Sequence, residues 1–276
     1  MTRLSVGAFY QPHLAESILA SADRIDHLAL ADPPRHEDLS WPNIQQRFTL
    51  LLHDFLGQLS EPFTSTQLIR ARDLVQRYRS PWAAEHLQRI HPTGNKDNGR
   101  PDFSFDYVFP PLYTDDLLHD YVHNIRVLQE YVGVPVAIEP IPTVLQLDVP
   151  QFTEAEFFHR LCDESGCCLI LDIPHAVLSA ATYGRDVRSF LLDLPLHRVI
   201  EIHVAGLAFN ADLQRPWIAP VLPDKDILGV TDFAVARTPA LRAITFDAFG
   251  PTLQAETFFE GVRLLRERFG CPAHGF

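Results

Sequence analysis

No apolar stretch in these 276 residues is long enough for a signal peptide or a membrane span. Met1-Thr2-Arg3-Leu4-Ser5 leads straight into a strand-like segment, so the expected location is the cytoplasm. A basic face is missing too. Lys and Arg number 23 against 35 Asp and Glu, a formal charge of -12 with a pI near 5.5. That balance argues against nucleic acid and anionic membranes as partners, because both need positive surface. Cysteine is scarce: Cys162, Cys167, Cys168 and Cys271 are too few and too clustered for a disulfide scaffold in a chain of this size. Cys168 heads an apolar strand and Cys162 lies on a helix with Phe157, Phe158 and Leu161, so the expectation is buried structural thiols. No Gly/Ser linker or block of like charge divides the chain, which reads as a single domain over residues 1–276.

What is present is rhythm. Apolar runs of four to six residues alternate with longer amphipathic stretches, the pattern of repeated βα units around a parallel sheet. Strands are expected near residues 4–8, 26–30, 48–53, 81–84, 135–139, 168–172, 199–203 and 243–247. Helices fit at 14–22, 64–78, 114–131, 153–165 and 253–269, with Thr114 and Thr153 placed to cap two of them ahead of acidic first turns. Eight strands in this order predict an α/β fold, a closed (β/α)8 TIM-type barrel. Two segments interrupt the alternation: residues 91–113, with turn formers from Pro92 to Pro101 and then Pro110-Pro111, and residues 207–232, with Pro216, Pro220 and Pro223. Both are expected to be long loops at the barrel rim.

At six strand ends stands a histidine or a carboxylate: His53, His86, Glu139, Asp172, His203 and Asp247. A lone residue of this kind is ordinarily a cap or a hydrogen-bonded structural group. Six together, at the strand ends where a barrel collects catalytic groups, point to a metal site, since imidazole nitrogen and carboxylate oxygen suit iron, manganese and zinc.

The stretch Leu169-Ile170-Leu171-Asp172-Ile173-Pro174-His175, a later Ser179-Ala180, and then Glu201-Ile202-His203-Val204-Ala205-Gly206 resemble the multinuclear non-haem iron-dependent oxidative enzymes, the family of the methanobactin-biosynthesis iron oxidase. Other segments match in the family's order: Leu52-His53-Asp54-Phe55-Leu56-Gly57, Ala84-Glu85-His86-Leu87, Pro110-Pro111-Leu112-Tyr113-Thr114 and Ile138-Glu139-Pro140. The resemblance runs from about residue 48 to 269, with a weaker match at Gly7 to His13.

This resemblance implies a xylose-isomerase-like barrel and a cluster of two or three iron ions, Fe(II) or Fe(III), held by His53, His86, Glu139, Asp172, His203 and Asp247. It implies dioxygen as co-substrate and oxidation of a residue, often cysteine, in a precursor peptide for natural-product biosynthesis, with a separate partner protein presenting that peptide. The chain departs from the family pattern in places. His175 stands where the family has an Asn, Asp224-Lys225-Asp226 matches its Asp-Thr-His, Asp247 replaces a Glu, and Leu207 replaces a His. His175, Asp224 and Asp226 are thus expected as ligands or catalytic groups. His91, His119 and His123 are further candidates for a general base, although His119 and His123 read better as a solvated helix face.

Other functions remain open on the residues alone. A sugar isomerase or epimerase, or an endonuclease-like hydrolase, would use a similar divalent-metal donor set on this fold. The acidic balance speaks against the nuclease. Lys96 and Lys225 lie in loops, leaving no lysine beside a ligand pair for the isomerase. A binding module that has lost its metal is the third reading, with Leu207 its best support.

Overall fold

The computed structural model describes residues 3–31, 41–88, 109–146, 151–212 and 214–270. In chain order these form β1 (Ser5–Phe9), α1 (Ala15–Ala20), β2 (His27–Ala31), α2 (Trp41–Arg47), β3 (Thr49–His53), α3 (Ser65–Tyr78), β4 (Ala83–Leu87) and α4 (Asp115–Val132). Then follow β5 (Val136–Pro140), α5 (Glu154–Ser165), β6 (Cys168–Asp172), α6 (Ile173–Thr182), α7 (Val187–Leu192), β7 (Val199–Val204), β8 (Gly206–Asn210), β9 (Arg215–Ala219), α8 (Lys225–Val235), β10 (Ala243–Phe246) and α9 (Ala255–Phe269). Eight strands close into a parallel barrel in the order β1-β10-β7-β6-β5-β4-β3-β2, while β8 and β9 pair as a separate antiparallel ribbon. Among the described residues, no helix is long and apolar enough to cross a membrane.

Two apolar layers hold the barrel. Alternate strand residues point inward, and Phe9, Ala29, Leu51, Ala84, Ala137 and Ile170 fill the interior as one buried cluster. The opposite faces pack against the helices in a larger core that includes Leu50, Leu52, Ile138, Phe157, Phe158, Ile202, Phe246 and Leu265. One close approach dictates a glycine: a Cβ on Gly7 would lie 2.1 Å from the His27 carbonyl oxygen, so β1 can approach β2 only without a side chain there.

Helix starts follow local chemistry. Thr64 and Gln67, and likewise Thr153 and Glu156, form reciprocal capping boxes at α3 and α5. Thr114 takes the N-cap position of α4 without a side-chain bond, and the Asp115 amide donates instead to Gln151 Oε1 at 2.7 Å. α4 and α5 end at Gly133 and Gly166, both with positive φ.

The expected rim loop at 207–232 is a correction. It contains the β8–β9 ribbon and most of α8. Its prolines read as loop because a central strand cannot hold them, but a two-stranded ribbon has only edges, where Pro216 is tolerated. α6 also escaped the pattern: Pro174 resembles a breaker, yet in the first turn its missing amide costs nothing. Of the other rim loop, at 91–113, residues 91–108 lie outside the described residues, His91 among them, and so does Cys271.

Candidate metal centre

Strand alternation builds the site. His53, His86, Glu139 and Asp172 each lie two residues beyond Leu51, Ala84, Ala137 and Ile170, so they continue the inward face one layer higher, at the C-terminal end of the barrel. His203 follows Glu201 on β7 by the same step, and Asp247 follows Thr245 just past β10. Register aligns neighbours: His86 pairs with Glu139, and Asp172 with His203.

Glu139 is the centre of the group. Its Oε2 lies 2.8 Å from His53 Nε2 and 3.2 Å from His203 Nδ1, while Oε1 lies 3.3 Å from His175 Nδ1 and 3.6 Å from His86 Nε2. Asp247 Oδ2 stands 3.8 Å from His203 Nδ1. Ligand-capable atoms of His53, Glu139 and His203, and of Glu139, Asp172, His203 and Asp247, come within 4.8 Å of one another. Despite these approaches, both Glu139 oxygens, Asp172 Oδ2, His203 Nδ1 and Asp247 Oδ1 are buried with no aligned hydrogen bond among the described residues. Buried polar atoms without partners are costly, and a shared cation would supply one partner to them all. The donor set therefore fits a metal.

The charges agree. Burial opposes ionisation of Glu139, but the His203 and His86 imidazoles outweigh it and hold the carboxyl well below the usual range. Burial, with the Glu139 charge beside it, pushes Asp172 up to about 7. Burial likewise pushes Asp247 up to about 7 against the pull of His203. Burial drives His53 down to about 4. Three carboxylates crowded in a dry cavity resist full ionisation until positive charge arrives.

A further shell, not anticipated from the sequence, orients the histidines. Glu201, 1% exposed inside the barrel, accepts from Trp82 Nε1 at 2.9 Å and from Thr245 Oγ1, and sits 3.2 Å from His203 Nε2. His27 continues the chain, its ring nitrogens 2.9 Å from Thr245 Oγ1 and 2.8 Å from Ser5 Oγ. This carboxylate fixes the far nitrogen of His203 and leaves Nδ1 to the cluster. Asp54, in the left-handed region at φ 47, stands 3.5 Å from His86 Nδ1. The available clue was Glu201 itself, a charge two residues before His203 in an otherwise apolar strand.

His86 and His175 occupy the mouth, more exposed than the rest. His175 Nδ1 donates to the Pro140 carbonyl at 2.9 Å, leaving Nε2 its free lone pair. It sits in the first turn of α6, a helix rather than the expected short turn, whose N-cap is Asp172. Phe9 packs against His53 and His203, and Phe249, 60% exposed, continues that wall outward. Two expected ligands are not gathered in. Asp224 caps α8 with its carboxylate on the Asp226 and Ile227 amides, and Asp226 is exposed in the first turn of that helix. His119 and His123 lie on the exposed side of α4.

The profile of a family described as RiPP precursor modification enzyme MbnB/TglH/ChrH matches residues 26–221. The chain belongs to this family. Its matched span includes every residue of the centre except Asp247. A UPF0276 protein of Bordetella parapertussis is 30% identical over 231 residues, covering 80% of this chain and 76% of its own length. A UPF0276 protein of Rhizobium meliloti is 28% identical over 203 residues, covering 72% of this chain and 59% of its own. Among solved structures, D-psicose 3-epimerase from Clostridium cellulolyticum aligns with a TM-score of 0.61 at 12% identity, covering 96% of this chain and 98% of its own. A xylose isomerase domain-containing protein of Salmonella typhimurium gives 0.58 at 12% identity, covering 98% and 97%. Those likenesses establish the xylose-isomerase-like barrel.

Proposed function

We propose that this protein oxidises a precursor peptide, at a cysteine or a neighbouring residue, with iron and dioxygen, in a cytoplasmic pathway to a modified peptide. The observation that carries the reading is the Glu139 carboxylate, whose two oxygens face separate sets of groups. Oε2 faces His53 and His203, with Asp247 beside His203, and Oε1 faces His86 and His175, while Asp172 comes within reach of His203 and Asp247 as well as of His175. Donors on both sides of Glu139 support more than one ion, which His53, His86, Glu139, Asp172, His175, His203 and Asp247 would hold. Family membership supports the peptide as substrate. Iron held here would supply redox chemistry with open positions for a thiolate and dioxygen.

The residues' own parts follow from placement. Glu201 holds the Nε2 proton of His203, keeping Nδ1 available. Phe9 and the barrel layer below exclude water from the inner side, while His86 and His175 face the side from which a peptide arrives. A separate protein that presents the peptide would offset the entropy of ordering it.

The test is incubation of iron-loaded protein, presenting partner and precursor peptide under air, with oxygen uptake and product mass recorded. The expected result is oxygen consumption matched to a mass change on the peptide. An untouched peptide alongside a free sugar that is epimerised would replace this reading with the sugar-epimerase one, whose fold is the same.

A further inference from the structure

A groove of about 1180 Å³ opens between the start of α5, the end of α6 and α7, and none of the metal-centre residues lines it. Pro111, Leu112, Leu145, Phe152, Phe190 and Leu192 make its walls. Leu145 and Leu192 are 63% and 58% exposed, so the apolar surface is open to a ligand. The floor is polar. Glu154, only 5% exposed, accepts from Thr143 Oγ1 at 3.0 Å and from Tyr183 Oη at 3.2 Å, with the Tyr113 hydroxyl also bonded to it.

Charge at the rim cancels internally. Arg160 pairs with Asp115 and Glu164, Arg185 pairs with Asp193, and Glu156 is engaged in the cap of α5. Glu154 is different: every described partner is a neutral hydroxyl, and burial pushes its carboxyl up to about 7. A buried carboxylate lacking a cation is stabilised by whatever cation arrives, while the Phe152 and Phe190 rings, already covered by Arg160 and Arg185, supply apolar wall.

We propose that this groove binds a lysine or arginine side chain of an extended peptide, with Glu154 receiving its charge. The inference rests on the peptide reading above and specifies it. Thr143 lies four residues past Glu139, so their Cα atoms are at most about 14 Å apart, and the two side chains and the Thr143–Glu154 hydrogen bond add several ångströms to the reach between the carboxylates. An extended peptide advances about 3.3 Å per residue, which puts the basic residue within roughly seven positions of the one that is modified. An open groove beside the barrel rim accommodates such a strand of peptide, and the overall acidity of the chain complements a basic one.

Affinity selection tests this. Capped hexapeptide mixtures, randomised except for one position fixed as lysine, arginine or norleucine, are offered to the anaerobically purified protein and the retained peptides counted by mass spectrometry. The lysine and arginine mixtures should be retained about tenfold over norleucine. Glu154→Gln should abolish that preference while leaving norleucine retention unchanged. Leu145→Arg, at an exposed rim position outside the apolar core, should reduce it by repulsion. Equal retention of all three mixtures, or a preference that survives in Glu154→Gln, overturns the proposal. So does n-butylamine competing as well as a whole lysine peptide, which would make the ligand a free amine. Selection requires no turnover, so a protein that selects basic peptides but oxidises nothing refutes only the oxidase reading. One that oxidises its precursor without any basic preference refutes only the groove.

Discussion

Glu201→Gln changes one atom of the shell behind His203 and should disable that ligand without touching it. Glu201 accepts from three donors at once: Trp82 Nε1, Thr245 Oγ1 and the Nε2 side of His203. Glutamine keeps the shape but must aim an NH2 at one of them. Trp82 can only donate, so the amide oxygen stays there and the NH2 turns toward the imidazole. His203 Nε2 then becomes an acceptor and the ring proton moves to Nδ1, the atom 3.2 Å from Glu139 Oε2. A protonated nitrogen cannot ligate. Loss of such a carboxylate typically weakens metal binding by roughly ten- to a hundredfold, about 1.4 to 2.7 kcal/mol. The assay is metal retention against a graded series of chelator concentrations, with circular dichroism to verify the fold. The variant should release metal at correspondingly lower chelator. A folded variant with the wild-type release curve would overturn this role for Glu201.

Phe157→Ala removes a fully buried ring that meets Tyr113, Tyr121 and Phe158; urea unfolding should show a loss of about 3–5 kcal/mol, and a loss below about 1 would contradict that packing. Glu154, raised by burial from 4.5 to about 7, stays protonated in the folded protein after the unfolded chain has released its proton. Stability should therefore fall as pH rises through that window, by up to about 3 kcal/mol, and then level off. The melting temperature of Glu154→Gln minus that of the wild type should grow between pH 4.5 and 7, and a flat difference would count against it. Gly261→Ala drives a Cβ to within 2.4 Å of the Phe246 ring where α9 meets β10, so thermal melting should show a loss of about 1–3 kcal/mol, and an unchanged melting temperature would argue against that contact.

The barrel was legible because parallel strands buried on both faces read as near-continuous apolar runs. Cys168–Asp172 is the clearest case, its predicted and observed bounds being the same. β4 is displaced, observed at Ala83–Leu87 against an expected 81–84, because Glu85 and His86 look polar although one is buried against the Phe55 and Leu56 amides and the other faces the centre. Position at a strand end identified the residues around Glu139. It could not identify Glu201 or His27, which lie deeper in the barrel and act through hydrogen bonds spanning β2, β7 and β10. Asp224 and Asp226 were aligned by motif alone, in a segment whose prolines concealed a ribbon and a helix, and the helix start claims the Asp224 carboxylate. The groove around Glu154 left no trace in the sequence because three hydroxyls from separate segments create it.

Iron in the Glu139 cluster underlies the proposed oxidation. Metal analysis of anaerobically purified protein, wild type beside His203→Ala, tests it most directly. More than one iron per chain in the wild type, with a marked loss in a folded His203→Ala variant, is the expected result. A wild type free of metal, or a variant with its full complement of iron, would contradict the account.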